Sequence, residues 1–497
     1  MLHPNRRSGQ PGRFGGQPRT MGPWPHFLAG WYGWAWPNLL IEDGGPTLLG
    51  RIATSATANP TPSPTAHLAG HAGASRYLVS RPSLNASLTP SAHRREVGRN
   101  LVLDLIGAIG VGVSLALVVS LLPTIARRGG LEPIGLAALA AAPFIANLLG
   151  AFAGRFGPRS TRQLALLRAS GASSLLVLFI LPTPPVMIVA GVVFWISLSF
   201  SNPFQLRMWG VMYPARLRGR IVGTLGTGRS AAMAVAALAG GVIADQVGGP
   251  AVVALGGLIG AVCAIAYVGL RAPAAAEPPR FSARDSVRVL RDRPVLARIT
   301  LAQGFYGGGL VAAIPLYALV YVDRLDLSLG EVGVIGVLAA VSTTVSFMIW
   351  GVVVDRRGSI FALRIGSVFG LASLVIYAFA PNVAFLWAAA VAGGAAAASI
   401  DIGWTAIVSE HTSLASRSAA IAGMNALTGA RGIAAAFLMS ALLQLGILDV
   451  TGGLIVCSVA TGIGVILYAR TDVTAVAATP AVLNPTPATV RPGSAAA

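Results

Sequence analysis

From residue 101 onward, the sequence consists of apolar stretches of about 20 residues, each followed by a short polar segment. A helix of that length rises about 30 Å, which is the thickness of the hydrocarbon core of a bilayer. Only 11% of the residues are charged and 54% are hydrophobic, whereas soluble domains carry about 25% charged residues. The sequence therefore predicts an all-α membrane protein that crosses the bilayer many times.

Twelve apolar stretches are long enough to be transmembrane helices. They cover residues 101–124, 134–154, 162–181, 184–205, 221–245, 250–270, 296–321, 332–354, 360–380, 384–408, 418–446 and 450–469. A charged segment separates the first six from the last six. We therefore expect two helical domains, 96–271 and 296–470, joined by a cytoplasmic linker at 272–295.

The two ends of the chain lack such stretches. Residues 1–95 are rich in Pro, Gly, Ser, Thr and Arg, and we expect them and residues 471–497 to be disordered tails. One aromatic segment, residues 23–40, has the composition of a membrane-interface anchor. A start codon assigned too far upstream is the alternative explanation for residues 1–95.

The basic residues set the expected orientation. All 36 are arginines, and they lie between apolar stretches instead of on one soluble face, so we expect no nucleic-acid partner. The connections on one side hold most of them, whereas those on the other side hold only Arg127, Arg128 and Arg324. Because basic residues near membrane spans are retained in the cytoplasm, both termini are predicted to be cytoplasmic in a plasma membrane protein.

Nothing in the sequence predicts a metal ion or a cofactor. Cys263 and Cys457 lie inside apolar stretches, and the six histidines form no ligand-spaced pair. The chain has no Lys, and hence no phosphate-binding loop of the Gly-Lys type. The expected partners are the lipid bilayer, a small-molecule substrate and a coupled proton or cation, and we expect a monomer.

An internal repeat relates the two groups of helices. Residues 134–157 align without a gap on residues 335–358, at an offset of 201. The identical pairs are Ile134 and Ile335, Gly135 and Gly336, Ala138 and Ala339, Gly150 and Gly351, Arg155 and Arg356, and Gly157 and Gly358. The two halves therefore look like copies of one six-helix unit in the same orientation, which is the parallel-repeat organisation of certain secondary transporters.

Two motifs in these halves resemble those of the major facilitator superfamily of membrane transporters. The first is "GVVVDRRG" at residues 351–358, with a partial copy "GAFAGRFGPR" at 150–159, and the second is "YPARLRGR" at 213–220. The matching positions are Gly351, Asp355, Arg356, Gly358, Gly150, Arg155, Gly157 and Arg159 in the first motif, and Pro214, Arg218, Gly219 and Arg220 in the second. The resemblance implies twelve transmembrane helices in two parallel-repeat six-helix bundles that transport by alternating access.

The acid of the first motif has two interpretations. Asp355, at a cytoplasmic helix end, can pair with arginines or with the N-terminus of a neighbouring helix. The resemblance implies that this pairing is a latch, which stabilises the outward-open state and is released when the inner gate opens. Alternatively, the acid caps a loop and fixes the topology. The first half has Gly154 at the corresponding position, so the latch is not symmetric.

Three ionisable residues lie deep in the predicted helices, where a charge is costly and usually faces a cavity or a partner. Asp401 is our candidate for a titrating or substrate-binding carboxylate. Arg229 and Arg431 are candidates for its counter-charges, or for anchors of an anionic substrate. The alternative is an ion pair between Asp401 and Arg431 that only ties two helices together.

Further polar residues fall near the same region. The candidates are Asn202, Gln205, Trp404, Gln303, Tyr306 and Asn425. Their alternative role is to hydrogen-bond one helix to another. Asp104 and Arg168 lie within about two turns of the predicted cytoplasmic surface, where we expect them to snorkel or to pair.

Together these features predict a secondary active transporter, coupled to an ion or proton gradient, that moves a small solute by alternating access. A facilitated uniporter is the alternative within the same class. A membrane-embedded lipid-modifying enzyme would need an acid or histidine cluster at one interface, and only Glu410 with His411 comes near. A sensor without transport is the third possibility. We expect no enzymatic activity.

Overall fold

The computed structural model describes residues 90–150, 157–272, 288–289, 291–412 and 414–471. Within these ranges the chain forms helices and short connections, and no β-strand is present. Residues 1–89 and 472–497 of the predicted tails, most of the predicted linker and Arg155 lie outside the described residues. The expectation of disorder is wrong for residues 90–95, which form the start of the first helix.

Six helices form the first half of the described chain. They are α1 (Pro90–Ala116, continued by a π-helical turn, Leu117–Leu121, and by Leu122–Arg128), α2 (Pro133–Leu149), α3 (Thr161–Ser173, continued as a 3₁₀ helix, Ser174–Phe179), α4 (Pro184–Met212), α5 (Ala215–Val247) and α6 (Gly249–Ala264, continued by Ile265–Gly269). Each overlaps one of the first six predicted spans.

Six helices also form the second half of the described chain. They are α7 (Pro294–Leu319, continued by a π-helical turn, Val320–Arg324), α8 (Leu329–Arg357), α9 (Ser359–Phe379), α10 (Val383–His411), α11 (Leu414–Gln444) and α12 (Val450–Ala469). Each overlaps one of the last six predicted spans.

Most of these helices have the length and composition of membrane spans. Ten are long and apolar enough to cross a membrane. The other two are α2, with 17 residues, and α3, whose α-helical part has 13 residues before it continues as a 3₁₀ helix. The all-α membrane fold is confirmed, while the crossings by α2 and α3 stay predictions.

Local sequence explains where several helices begin and end. Pro133 and Pro184 occupy the first turns of α2 and α4, where a missing N–H has no intrahelical partner to lose. Ser328 and Glu331 form a capping box at the start of α8. Gly358, at φ +88°, ends α8 and begins α9 in a conformation that favours glycine.

The two halves pack their helices in the same pattern. In the first half α1 contacts α5 and α6, α2 contacts α4, and α3 contacts α4 and α6. In the second half α7 contacts α11 and α12, α8 contacts α10, and α9 contacts α10 and α12. The same pairs therefore recur six helices later, in agreement with the sequence repeat.

The halves meet along two helix pairs, α2 with α11 and α5 with α8. Glycines bring these backbones close together. A Cβ on Gly429 would lie 2.9 Å from the carbonyl oxygen of Phe144, and one on Gly333 would lie 2.4 Å from that of Ala237. A larger residue at either position would therefore push the halves apart.

The connections define two ends of the bundle. We call the arginine-rich end the one at which α2 joins α3, α4 joins α5, α8 joins α9 and α10 joins α11. The arginine-poor end holds the other connections, among them those from α1 to α2 and from α7 to α8. The sequence predicts that the arginine-rich end is cytoplasmic.

The hydrophobic core is continuous at the arginine-poor end and divided at the arginine-rich end. One cluster of buried side chains includes Leu121 of the first half and Leu329 of the second. Toward the arginine-rich end, one cluster forms within the first half around Tyr213, and another within the second half around Ile407. In the part of the chain that the structure describes, a cleft between the halves therefore opens toward the arginine-rich end.

Candidate functional site

Polar contacts between the halves close the cleft at the arginine-poor end. Arg127 of α1 binds Asp323 of α7: its Nε lies 3.0 and 3.1 Å from the two carboxylate oxygens, and its Nη2 lies 2.8 Å from one of them. Arg128 donates a hydrogen bond to the carbonyl oxygen of Leu327. The side chains of the ion pair are 26% and 36% exposed. A pair this exposed contributes about 0–1 kcal/mol, so it can break without a large change in free energy.

Two further contacts join the halves at the same end. Asp245, near the end of α5, accepts hydrogen bonds from the first two N–H groups of α8 at 2.9 and 2.8 Å. Its negative charge also faces the positive end of the α8 dipole. Gln444 of α11 donates a hydrogen bond to Glu132, just before α2, at 2.7 Å. Both helix junctions between the halves are thus tied at this end.

The predicted latch lies at the arginine-rich end, where α8 joins α9. Asp355 is exposed and makes no hydrogen bond or ion pair with the described part of the chain. Arg356 and Gly358 are exposed as well, and Gly351 lies half-buried one turn earlier on α8. The pairing that the resemblance implies for an outward-open state is not formed here, and the role of Asp355 stays a prediction.

The first-half copy of this motif shapes the connection between α2 and α3. Gly150 directly follows α2, and a Cβ there would lie 3.0 Å from Ser199 Oγ of α4. Gly157 and Arg159 precede α3, and the backbone N–H of Arg159 binds Gln163 Oε1 at 2.7 Å. The described part of this copy therefore serves the turn and the approach of α4.

The second motif fixes the turn from α4 to α5. The Arg218 guanidinium donates hydrogen bonds to the carbonyl oxygens of Gly210 at 2.5 Å and Tyr213 at 3.2 Å. These carbonyls lie at the end of α4, where a helix leaves its acceptors without intrahelical partners. Pro214 then precedes the first residue of α5. The exposed members of the motif are Gly219 and Arg220.

Asp401 lies on α10 and faces the cleft. Its side chain is exposed, although protein surrounds it on most sides, which places it on the wall of the cleft and not on the outer surface. Its electrostatic partner is Arg229 of α5, in the other half. Arg229 packs closely on α1, where a Cβ on Gly112 would lie 2.5 Å from its carbonyl oxygen. The structure thus brings together two of the three predicted charged residues.

Arg431, the third charged residue, lies on α11 and is held by α7. It donates a hydrogen bond to the carbonyl oxygen of Gln303. The Gln303 side chain accepts a hydrogen bond from Tyr468 of α12 at 2.5 Å. The alternative ion pair between Asp401 and Arg431 is absent from the ion pairs of the described residues.

Asn202 and Gln205, on α4, lie in the interior of the first half. Gln205 donates a hydrogen bond to Asp104 of α1 at 3.2 Å. Arg168 of α3 donates to Gln205 at 3.0 Å and to Asn202 at 2.8 Å. The two candidates therefore connect α1, α3 and α4, which is the helix-to-helix role that the sequence left open.

The expectation that Asp104 interacts with Arg168 agrees with their electrostatic attraction, but the alternative, that Asp104 snorkels to the surface, is wrong. Its side chain is 0% exposed, and that of Arg168 is 6% exposed. Its Oδ2 accepts hydrogen bonds from Trp209 Nε1 at 2.6 Å and from the Tyr213 hydroxyl at 3.2 Å. The donors Gln205, Trp209 and Tyr213 follow one another at intervals of four residues along α4. That stripe of polar groups is the sequence signal that points to this site.

The last three predicted residues differ in their surroundings. Tyr306 is fully buried, and its ring lies edge-on to that of Tyr468, with ring centroids 6.0 Å apart. Trp404 packs partly buried against the core of the second half, whereas Asn425 is exposed. Tyr306 therefore cannot contact a solute in this conformation.

The fold and the cleft define a class of protein. Membrane-length helices in two equivalent halves, with charged side chains facing the cleft between them, are typical of a multi-pass membrane transporter. Among the described residues, no group of three or more His, Cys, Asp or Glu side chains could hold a metal ion.

Comparison with known proteins confirms the resemblance. The family profile described as Major Facilitator Superfamily matches residues 105–382, which is more than half of the chain. The chain belongs to this family, and it is a membrane transporter. A comparison with curated proteins finds no match.

Solved transporter structures share the fold at low sequence identity. The nucleoside transporter NupG, as a D323A mutant, aligns with a TM-score of 0.61 and 13% identity, covering 75% of this chain and 99% of its own. The human organic anion transporter MFSD10 (TETRAN) aligns with a TM-score of 0.53 and 14% identity, covering 75% and 99%. A bacterial homologue of the human lysosomal transporter Spinster, in an inward-facing and occupied conformation, aligns with a TM-score of 0.54 and 15% identity, covering 75% and 96%.

Proposed function

We propose that the protein is a secondary active transporter that moves a small solute across the plasma membrane by alternating access, driven by a proton or cation gradient. The observation that supports this most is the asymmetry of the two ends. The halves share one core at the arginine-poor end and have separate cores at the arginine-rich end. A cleft that opens to one side is one of the two states that alternating access requires. With both termini cytoplasmic, this cleft opens inward, and a monomer suffices for the cycle.

In the opposite state, the contacts at the arginine-poor end must break and the arginine-rich end must close. The exposed ion pair between Arg127 and Asp323 is weak enough to break in each cycle. Closing the arginine-rich end would bring the connections of the two halves together, and with them Asp355 and the arginines of the first half. That Asp355 has no partner among the described residues in this state agrees with the latch hypothesis.

Asp401 and Arg229 offer a mechanism for coupling. They belong to different halves and attract each other while the carboxylate is charged. Protonation of Asp401 would remove this attraction, so that binding of a proton changes the free energy of moving the halves apart. One carboxylate that faces the cleft would thereby link proton movement to solute movement.

The alternative functions receive less support. Glu410, which an interfacial enzyme site would need, accepts a hydrogen bond from Ser359 at 2.8 Å. His411 Nδ1 binds the carbonyl oxygen of Ile407 at 2.9 Å. Both side chains thus serve local contacts at helix ends. The family and its structural neighbours point to a transporter instead of an enzyme.

Transport by the full-length protein in proteoliposomes tests this proposal. We expect uptake of at least one solute from a metabolite panel, accelerated by a proton gradient. Asp401→Asn keeps the shape of the side chain and removes the titrating group. It should abolish the effect of the gradient while solute exchange at equal concentrations continues. Radiolabelled exchange and a trapped pH dye measure the two activities.

Glu410→Gln serves as the matched control, because it neutralises an acid on the same helix outside the cleft site and should leave the gradient effect intact. An unchanged gradient effect in Asp401→Asn would remove Asp401 as the proton carrier. Uptake by the unaltered protein that ignores every ion gradient would leave a facilitated uniporter. Failure to move any solute in the panel would contradict transport itself.

A further inference from the structure

The charges near the cleft do not balance. Arg229 interacts electrostatically with the carboxylate of Asp401, whereas Arg431, about midway along α11, interacts with no carboxylate in the described part of the chain, and its electrostatic partner is Tyr468. Its Nε is buried without a hydrogen-bond partner there. Its Nη1 binds the carbonyl oxygen of Gln303, which is a neutral acceptor. A guanidinium at this depth is costly unless an anion compensates its charge.

Glycines of α7 leave space beside this guanidinium. A Cβ on Gly307 would lie 2.8 Å from Arg431 Nη2, and one on Gly308 would lie 3.7 Å from its Cδ. A Cβ on Gly304 would have no atom within 4 Å. Leu301 lies on the same side of α7 as Gly304 and Gly308, and it is 56% exposed, although the helices α11 and α12 pack against α7. Further along the same side of α7, Val311 packs with Ala137 and Ala140 of α2, in the other half. This side of α7 therefore faces the first half and borders the cleft, and the glycines form a recess in front of Arg431.

Arg431 and Arg229 occupy equivalent places in the repeat. The sequences "TGR" at 227–229 and "TGAR" at 428–431 align with one inserted residue. Each arginine packs on a glycine of the equivalent helix, Gly112 on α1 and Gly307 on α7. Among the described residues, one of the two arginines interacts with a carboxylate and the other does not. A negative charge from outside the described chain would compensate Arg431.

We propose that Arg431 binds a carboxylate or phosphate group of the transported solute, in the recess that Gly304 and Gly308 leave on α7. This inference rests on the proposed transport function, and it names the substrate class as an organic anion. The bond from Nη1 to Gln303 fixes the plane of the guanidinium. It leaves Nη2, which lies beside the glycines of α7, to donate hydrogen bonds to an oxygen of the carboxylate or phosphate.

Binding of oxyanions to the purified full-length protein tests the proposal. Succinate and inorganic phosphate distinguish the two oxyanion types, and glycerol is the neutral probe, all compared at constant ionic strength. We expect at least one oxyanion, but not glycerol, to raise the midpoint of thermal unfolding. Arg431→Gln should weaken this binding about tenfold or more, since it removes a charged hydrogen-bonding partner. Arg470→Gln removes the same charge from an exposed position after α12 and should bind as the unaltered protein does.

Equal oxyanion binding by Arg431→Gln, or no oxyanion binding by the unaltered protein, would overturn the proposal. If Arg431→Gln does not give monodisperse protein, Arg431→Met replaces it, because it removes the guanidinium and keeps an apolar side chain of similar length. Oxyanion affinity equal to that of the unaltered protein would again overturn the proposal. The transport assay separates the two proposals. If the unaltered protein and the Arg431→Gln variant transport a neutral solute equally well, the anion site is contradicted and the transport function stands. If the protein binds an oxyanion but transports no solute, the anion site stands and the transport function is contradicted.

Discussion

Asp104 and Asp401 show how the surroundings of a carboxylate decide what it can do. Asp104 is fully buried and accepts hydrogen bonds from three donors on or just after α4, so the protein itself compensates its charge. Asp401 is exposed to the cleft, and its counter-charge belongs to the other half. A group that exchanges protons or binds solute must be reachable from water. The geometry therefore assigns packing to Asp104 and suits Asp401 to coupling.

The packing role of Asp104 can be tested at Trp209. Its Nε1 lies 2.6 Å from the buried carboxylate. Trp209→Phe keeps most of the ring and removes this donor, so we expect the free energy of unfolding to fall by about 1.5–3 kcal/mol, the contribution of a hydrogen bond to a charged group. Unfolding by sodium dodecyl sulfate in mixed micelles, followed by circular dichroism, measures the change.

Trp387→Phe is the control for this prediction. Trp387 lies on α10 and is 38% exposed, so its substitution should change the free energy of unfolding by no more than about 0.5 kcal/mol. Equal losses in the two variants would mean that the bond to Asp104 adds nothing beyond the indole ring.

At the scale of helices, the contacts at helix ends distinguish the two ends of the molecule. Asp245 of α5 caps α8, and Gln444 of α11 binds the residue just before α2. These two contacts lie at the two junctions along which the halves meet. Each junction is thereby held together at the arginine-poor end, so these bonds stabilise the conformation in which this end is closed.

Asp245→Asn should weaken the closed arginine-poor end, because a neutral amide interacts less favourably with the first N–H groups and the dipole of α8. We expect a larger population with this end open. Spin labels at the exposed positions Leu181 and Pro381, in a background without the native cysteines, would report it as a longer distance.

Asp449→Asn is the matched control, since Asp449 caps α12, the helix that follows it, and does not connect the two halves. The same change in distance for both variants, or for neither, would contradict a gating role for the Asp245 contact.

The helix positions could be predicted because a membrane helix satisfies its backbone internally and needs only apolar sequence of the right length. The motif at residues 351–358 and the repeat were sufficient to identify the family. The site was less predictable. The electrostatic interaction of Asp401 with Arg229 instead of Arg431 depends on how the two halves pack against each other, which no local sequence pattern predicts. The burial of Asp104 was missed because depth was judged from the helix end, whereas donors on α4 draw this residue into the core.

At the scale of the whole molecule, the duplicated packing gives one structural unit used twice, with charges that differ between the copies. The first half keeps a buried network around Asp104, and the second half presents Asp355, Asp401 and Arg431 near the cleft or its entrance. In the transport cycle that we propose, a symmetric scaffold supplies two related conformations of similar energy, and the unequal charges would let ions and solute favour one of them.

The latch hypothesis predicts that Asp355 affects the equilibrium between the two conformations. Asp355→Ala removes an acid that has no partner among the described residues in the present state, so it should destabilise only the opposite state. We expect a larger population with the arginine-rich end open, together with slower transport. Spin labels at the exposed positions Arg162 and Arg470 would measure the population.

Asp292→Ala is the control, because it removes an acid whose partner, Arg288, lies one turn away before α7. Unchanged distances and full transport in Asp355→Ala would leave that acid as a loop cap and a marker of topology.

The π-helical turns in α1 and α7 have a consequence for the closed end. Each of the two helices that contribute to the pair of Arg127 and Asp323 contains one such turn, at Leu117–Leu121 and Val320–Arg324. A π turn takes up one residue more than an α turn, which rotates whatever follows by about 100° around the helix axis. Arg127 follows the first π turn and Asp323 lies within the second, so the direction in which each charged group leaves its helix depends on a local irregularity in the winding. The two π turns therefore help to determine which side chains meet at the closed arginine-poor end, as do the identities of Arg127 and Asp323 themselves.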